Sequence, residues 1–206
     1  MKKIDHIVYA VPDLEKGMDE VEHRFGIRPV YGGKHLHQGT HNALLNLGNA
    51  CYFELIAVDP ENKTILAPRW MGIDLLTEPK VTRWAIKSTD LEQDLSILKT
   101  FNPELAKTKT GNRQRQDGSM LEWQLSIPLA YPEVEVLPFL LDWKDSVHPT
   151  ETMPQHCELI SIRATHPQGK KIARQLEALG YPMLVEESEV VSLMVEIMTP
   201  KGIVRL

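Results

Sequence analysis

Lys3-Ile4-Asp5-His6-Ile7-Val8-Tyr9-Ala10-Val11-Pro12-Asp13-Leu14-Glu15 returns later in the chain as Lys80-Val81-Thr82-Arg83-Trp84-Ala85-Ile86-Lys87-Ser88-Thr89-Asp90-Leu91-Glu92. The offset is constant; Lys, Asp, Leu and Glu recur identically, and Val81 stands for Ile4. Each copy reads as an apolar strand, an Asp cap and an amphipathic helix. A repeat of this size implies two similar modules packed together, with a groove between them where chemistry would sit.

Working outward, the first copy opens a βαβββ module over residues 1–60. Strand Ile4–Val11 is followed by a helix Leu14–Phe25, with Leu14, Met18, Val21 and Phe25 as its buried stripe and Gly26 as its stop. A turn at Gly32-Gly33, a His-rich hairpin region and strands His41–Leu47 and Cys51–Val58 complete it. Residues 61–79 carry Pro, Arg and Trp without clean periodicity. They read as a linker lying over the groove, with a short helix near Met71–Leu76. The second module, 80–150, repeats the order: strand Val81–Lys87, helix Leu91–Phe101, a polar arm Lys107–Arg115, then strands Met120–Ile127 and Leu137–Trp143. Residues 155–206 read as a third, partial module, with strand Leu159–Thr165, helix Gly169–Leu179 and strands Val190–Met198 and Ile203–Leu206. Lacking a counterpart, it covers an edge or builds a dimer interface. The fold class is α+β, with tandem βαβββ modules forming a curled mixed sheet.

The chain has 206 residues and a net charge of −5 with no long basic run, which argues against a nucleic-acid surface. No apolar stretch is long enough to span a bilayer, and the N-terminus turns polar too soon for a signal peptide. Cys51 and Cys157 sit in apolar runs and read as buried free thiols. The expectation is a cytoplasmic homodimer that binds a small molecule, with no nucleic-acid or membrane partner.

Several stretches carry a resemblance. The opening strand Ile4–Leu14 is similar to that of the vicinal oxygen chelate superfamily. Gly39-Thr40-His41-Asn42-Ala43-Leu44, Tyr52-Phe53-Glu54-Leu55-Ile56-Ala57, Pro138-Phe139-Leu140-Leu141-Asp142-Trp143 and His148-Pro149 resemble its glyoxalase-like domain branch. The resemblance covers residues 3–150. It implies a small-molecule enzyme of lyase, isomerase or dioxygenase type, acting on an oxygen-chelating, anionic metabolite. It also implies a divalent metal (Zn, Ni, Mn or Fe) held on the concave faces of the strands. The alternative is a non-catalytic binding or drug-sequestering protein of the same fold.

Strand alternation then sorts the residues. His6 shares a face with Ile4, Val8 and Ala10, and Glu54 with Tyr52 and Ile56. A carboxylate in an apolar strand needs a partner, so His6 and Glu54 are candidate metal ligands with Asp142 as a third. The plain alternative is a His6–Glu54 hydrogen bond in a polar core. Position 83, equivalent to His6, is Arg and cannot coordinate a metal. Arg83 either clamps a substrate carboxylate or phosphate, or pairs with Glu54 and closes the metal site. Glu122 and Gln124 alternate with Leu121, Trp123 and Leu125 and are expected to face the groove, Glu122 as a general base and Gln124 in binding. One of His41 and Asn42 should reach the cavity, His41 as a base or Asn42 orienting a carbonyl. Tyr52 and Trp70 are candidates to stack on a ligand. His35 and His37 are expected on an exposed hairpin arm.

Overall fold

Asp13 and Asp90 do the work expected of helix caps. Their carboxylates accept from the backbone N–H of Lys16 and Gln93 and start α1 (Leu14–Phe25) and α2 (Leu91–Phe101). Gly26, at φ 79°, takes the left-handed conformation that ends α1. These features come from a computed structural model that describes residues 1–206 other than 116 and 132.

In the first half, β1 (Ile4–Ala10) and α1 lead to β2 (Val30–His35), β3 (Thr40–Asn46) and β4 (Tyr52–Val58). In the second, β5 (Lys80–Lys87) and α2 lead to β6 (Thr108–Gln114), β7 (Met120–Ser126) and β8 (Phe139–Asp142). Within each half the first strand pairs in parallel with the last. The halves meet where β1 pairs antiparallel with β5, and where β2 touches β6 through the single pair Lys34↔Gln114. The eight strands form a closed barrel in the order β1-β4-β3-β2-β6-β7-β8-β5.

Two apolar layers follow from strand alternation. Inside the barrel lie Val8, Ala10, Ile56, Ala85, Leu121, Trp123, Leu125, Phe139 and Leu141. Outside it, Ile7, Tyr9, Phe53, Leu55, Trp84, Ile86 and Leu140 pack with the helices, against Met18, Val21 and Phe25 of α1 and Leu98 of α2. Residues 70–75 form a short 3₁₀ segment that sends Met71 and Ile73 into the barrel's interior.

The chain's last portion is a second sheet, β9 (Glu158–His166), β10 (Val185–Glu187), β11 (Ser192–Thr199) and β12 (Gly202–Arg205), with α3 (Gly169–Ala178) after its first strand. Its strand order is β10-β9-β11-β12, unlike either barrel half. It covers the outside of the barrel: Ile162, Val195, Ile197, Ile172 and Leu176 join the outer core, and Tyr181 meets Trp84 at 5.1 Å. Among the described residues no helix is long and apolar enough to cross a membrane.

Candidate active site

Simple alternation fails at one point in β1. Ile4 opposes Ile86 and His6 opposes Ala85, leaving Asp5 as an extra residue. This bulge turns Ile4 to the outer core while His6, Val8 and Ala10 keep the inner face. The same irregularity recurs at the equivalent place in the repeat: Val8 opposes Arg83 and Tyr9 opposes Val81, leaving Thr82 over.

Asp5 has no solvent exposure. Its Oδ1 lies 2.7 Å from His6 Nδ1, its Oδ2 accepts from Trp143 Nε1 at 2.7 Å, and His148 Nε2 stands 3.3 Å away. Burial alone would raise this carboxyl; the neighbouring His148 and His6 outweigh it and hold it well below the usual carboxylate range. Asp5 therefore engages His6 Nδ1 and leaves His6 Nε2 toward the interior, 3.6 Å from Glu54 Oε2. Glu54 Oε1 accepts from Asn42 Nδ2 at 2.6 Å, and Asn42 Oδ1 accepts from Arg113 Nη1 at 3.3 Å. A polar line thus crosses the barrel: Arg113, Asn42, Glu54, His6, Asp5, Trp143.

All of these but Asp5 border a small cavity of about 30 Å³, walled by Tyr52, Trp70, Trp123, Phe139 and Trp143. Tyr52 stacks on His6 at 4.6 Å, and Phe139 meets it edge-on at 5.2 Å. The volume suits a water or an ion, so a larger ligand requires the lining to move.

A family model described as a glyoxalase-like domain matches residues 4–180. The chain belongs to the glyoxalase-like domain family. It is thereby a member of the vicinal oxygen chelate superfamily. This glyoxalase-like chain is similar over its whole length to a hypothetical protein from Staphylococcus aureus, with 18% identity, a TM-score of 0.64 and coverage of 100% of this chain and 85% of that one. It is also similar to methylmalonyl-CoA epimerase from Mycobacterium tuberculosis (20% identity, TM-score 0.42, 68% of this chain and 87% of that one). A hypothetical protein from Bacillus halodurans is a further match (17% identity, TM-score 0.44, 71% and 97%). No curated protein matches.

The glyoxalase-like barrel brings together five of the site residues singled out from sequence: His6, Asn42, Tyr52, Glu54 and Trp70. His41, alternating with Asn42, points out and packs edge-on against Tyr31 at 6.4 Å. The assignment of Glu122 and Gln124 to the groove is corrected: both are exposed, while Leu121, Trp123 and Leu125 fill the interior. The reason is that α2 packs on β8, leaving the outer face of β7 to solvent, so the polar residues belong outside. Asp142 is likewise displaced. Phe139 and Leu141 take the inner face of β8, and the Asp142 carboxylate meets Lys144 Nζ at 2.6 Å. Arg83 does not line the cavity and does not pair with Glu54. Its guanidinium is wrapped by the carbonyls of Thr82, Leu129, Tyr131 and Glu133, and so ties down the loop before β8. His35 is not on an exposed arm: it is buried at the cavity, with Nδ1 2.9 Å from Thr40 Oγ1. Burial, with Arg113 nearby, pushes His35 down to about 3, so its ring is neutral.

With Asp142 outside and Arg83 committed elsewhere, the proposed metal ligands reduce to His6 and Glu54. Among the described residues no group of three His, Cys, Asp or Glu side chains could hold a metal ion. The second half of the barrel offers this site an apolar wall and the cation of Arg113, so the donor set does not fit the divalent centre that the resemblance implied. Sequence reasoning missed Asp5, His35, Arg113 and Trp143. For Arg113 a signal existed: Lys109, Gly111 and Arg113 alternate along β6, with Gly111 fitting under the Trp123 indole.

Proposed function

We propose that this protein is a small-molecule enzyme that moves a proton at a carbon beside a carbonyl, as isomerases and some lyases do. The observation carrying this reading is the Asp5–His6–Glu54 constellation. A fixed carboxylate engages one imidazole nitrogen, and the other faces the cavity beside a second carboxylate. In the reaction, His6 Nε2 takes the proton as the C–H bond breaks. The electron pair moves onto the carbonyl oxygen, giving an enolate. The proton, kept on His6 or handed from its Nε2 to Glu54, then returns to the same or a neighbouring carbon as the enolate collapses, or goes to a leaving group whose bond to the neighbouring carbon breaks as the enolate electrons form the new double bond. The enolate charge is stabilised by hydrogen-bond donors of Asn42 and Arg113. Proton transfer is preferred to oxygenation because it uses the groups that stand together here.

A binding protein without turnover is the second reading, favoured by the aromatic wall of Trp70, Trp123, Phe139 and Trp143. The two separate in one experiment. Hydroxy-ketones, 2-oxo acids and α-dicarbonyl adducts are incubated with the protein in D2O, and deuterium uptake is followed by NMR. Uptake catalysed by the native chain and reduced at least about a hundredfold in His6→Gln, a loss typical of a missing general base, is the expected result. Ligand binding with no uptake by any member of the panel would favour the binder.

A further inference from the structure

Two arginines are buried among the described residues, and they are treated differently. Arg83 gives both terminal nitrogens to backbone carbonyls. Arg113 is 5% exposed, and its one side-chain bond among the described residues is the 3.3 Å contact with the neutral oxygen of Asn42. Its Nε, like that of Arg83, is buried without a partner, so the difference between the two lies in their terminal nitrogens. A buried cation this poorly satisfied is costly unless an anion completes it.

Arg113 also has a second side. It lines the cavity, and it lines a larger hollow on the outside of the barrel with Tyr31, Gly32, Arg115, Pro149 and Met153. This hollow lies where β2 and β6 are joined by one residue pair. Gly32 lines the hollow beside Asn42 and Arg113. A side chain there would stand 2.8 Å from Arg113 Nη1 and overlap the Asn42 oxygen, so the bare backbone leaves the guanidinium's flank open to the hollow. Arg115 makes no ion pair among the described residues. The acidic residue at the rim, Asp117, is turned to Ser119, accepting from its N–H at 2.9 Å and its hydroxyl at 2.6 Å.

We propose that the hollow between β2 and β6 is an anchoring subsite for a small molecule bearing a carboxylate or phosphate, held by Arg113 and Arg115. This rests on the proton-transfer reading and deepens it: the substrate is an anionic carbonyl compound, and the polar line from Arg113 through Asn42 to Glu54 and His6 connects its anchor to its reacting carbon. Planar guanidinium groups match both anions in bidentate fashion.

The test is isothermal titration calorimetry of the full chain with inorganic phosphate, malonate and the neutral malonamide. Saturable binding of phosphate or malonate, and none of malonamide, is expected; whichever anion binds more tightly identifies the anionic group. Arg113→Gln should weaken that binding at least about tenfold and Arg115→Gln by about threefold or more, as expected for lost charge-assisted hydrogen bonds. A melting curve on each variant checks folding, and Arg115, at the rim, keeps the test valid if Arg113→Gln is unstable. No anion binding, or binding unchanged in the folded variants, overturns the proposal. His6→Gln should still bind the anion, so the anchor and the proton transfer fail independently.

Discussion

A carboxylate shut away from water between two imidazoles and an indole is stable only as the ion, and Asp5 is in that position. Asp5→Asn keeps the shape and removes the charge that orients His6. Deuterium uptake should fall about ten- to a hundredfold, with its pH profile displaced; a lower melting temperature with uptake unchanged would mean that Asp5 is structural only. Two groups make the protein acid-sensitive in different windows. His35 titrates near 3 when folded and near 6.5 when free, so below about pH 6.5 the unfolded chain takes up a proton that the folded one refuses. Stability then declines by up to about 1.4 kcal/mol per pH unit down to about pH 3. The folded Asp5 carboxyl lies below its ordinary value, so its contribution is present above about pH 4 and lost below that as the unfolded chain protonates first. Urea midpoints measured between pH 4 and 7 should slope less for His35→Asn than for the native chain. His6 and Glu54 were conspicuous in the sequence because a titratable side chain interrupts an apolar run. Asp5 was not, because its role depends on a bulge, and alternation alone assigns it to the face opposite His6. Arg113 stood in a stretch where polar neighbours on both sides hid the inner face.

At the scale of elements, the helices were the most legible parts. An Asp cap and an apolar stripe delimit α1 and α2, and the structure places both where the sequence did. The strands were found, but not always their faces. Which side of β7 is buried depends on where a helix from another part of the half comes to rest, and a strand's own alternation has no record of that. Where β6 passes β7, the inner surface is so crowded that Gly111 has no room for a side chain: a Cβ would run into the Trp123 indole and Leu125. Gly111→Ala should therefore cost about 1–3 kcal/mol, the usual range for overpacking a filled interior, read as a shift in the urea midpoint. The turn over the cavity holds Met71 at φ 56°, a left-handed conformation that costs a non-glycine residue about 1–2 kcal/mol. Its side chain, inserted in the barrel, offsets that strain, and Lys109 Nζ sits 3.8 Å from the Trp70 ring centre beside it.

On the scale of the molecule, the repeat disclosed the two halves, and the observed pairing of β1 with β5 explains how they close. The second sheet was read only in outline: β10 is three residues long and carries no pattern of its own, and the sheet's strand order differs from that of the halves. Its position could not be read, because the surface it covers is built from both halves. Trp84, Ile86 and Ile7 are fully buried within the same outer core as Ile162, Val195 and Ile197. A chain ending at residue 154 would expose this layer. It should lose its cooperative thermal transition and bind the dye ANS strongly; a sharp transition in that fragment would mean that the barrel is self-sufficient.

The placement of that sheet sets an order of events during synthesis. All eight barrel strands leave the ribosome before the residues that shield the β1–β5 joint from water. The nascent barrel then waits with an apolar flank bare, and the last contacts to form are among those most widely separated along the chain. Such closures are slow, and the exposed interval is when a newly made copy is most open to aggregation or to capture by a chaperone.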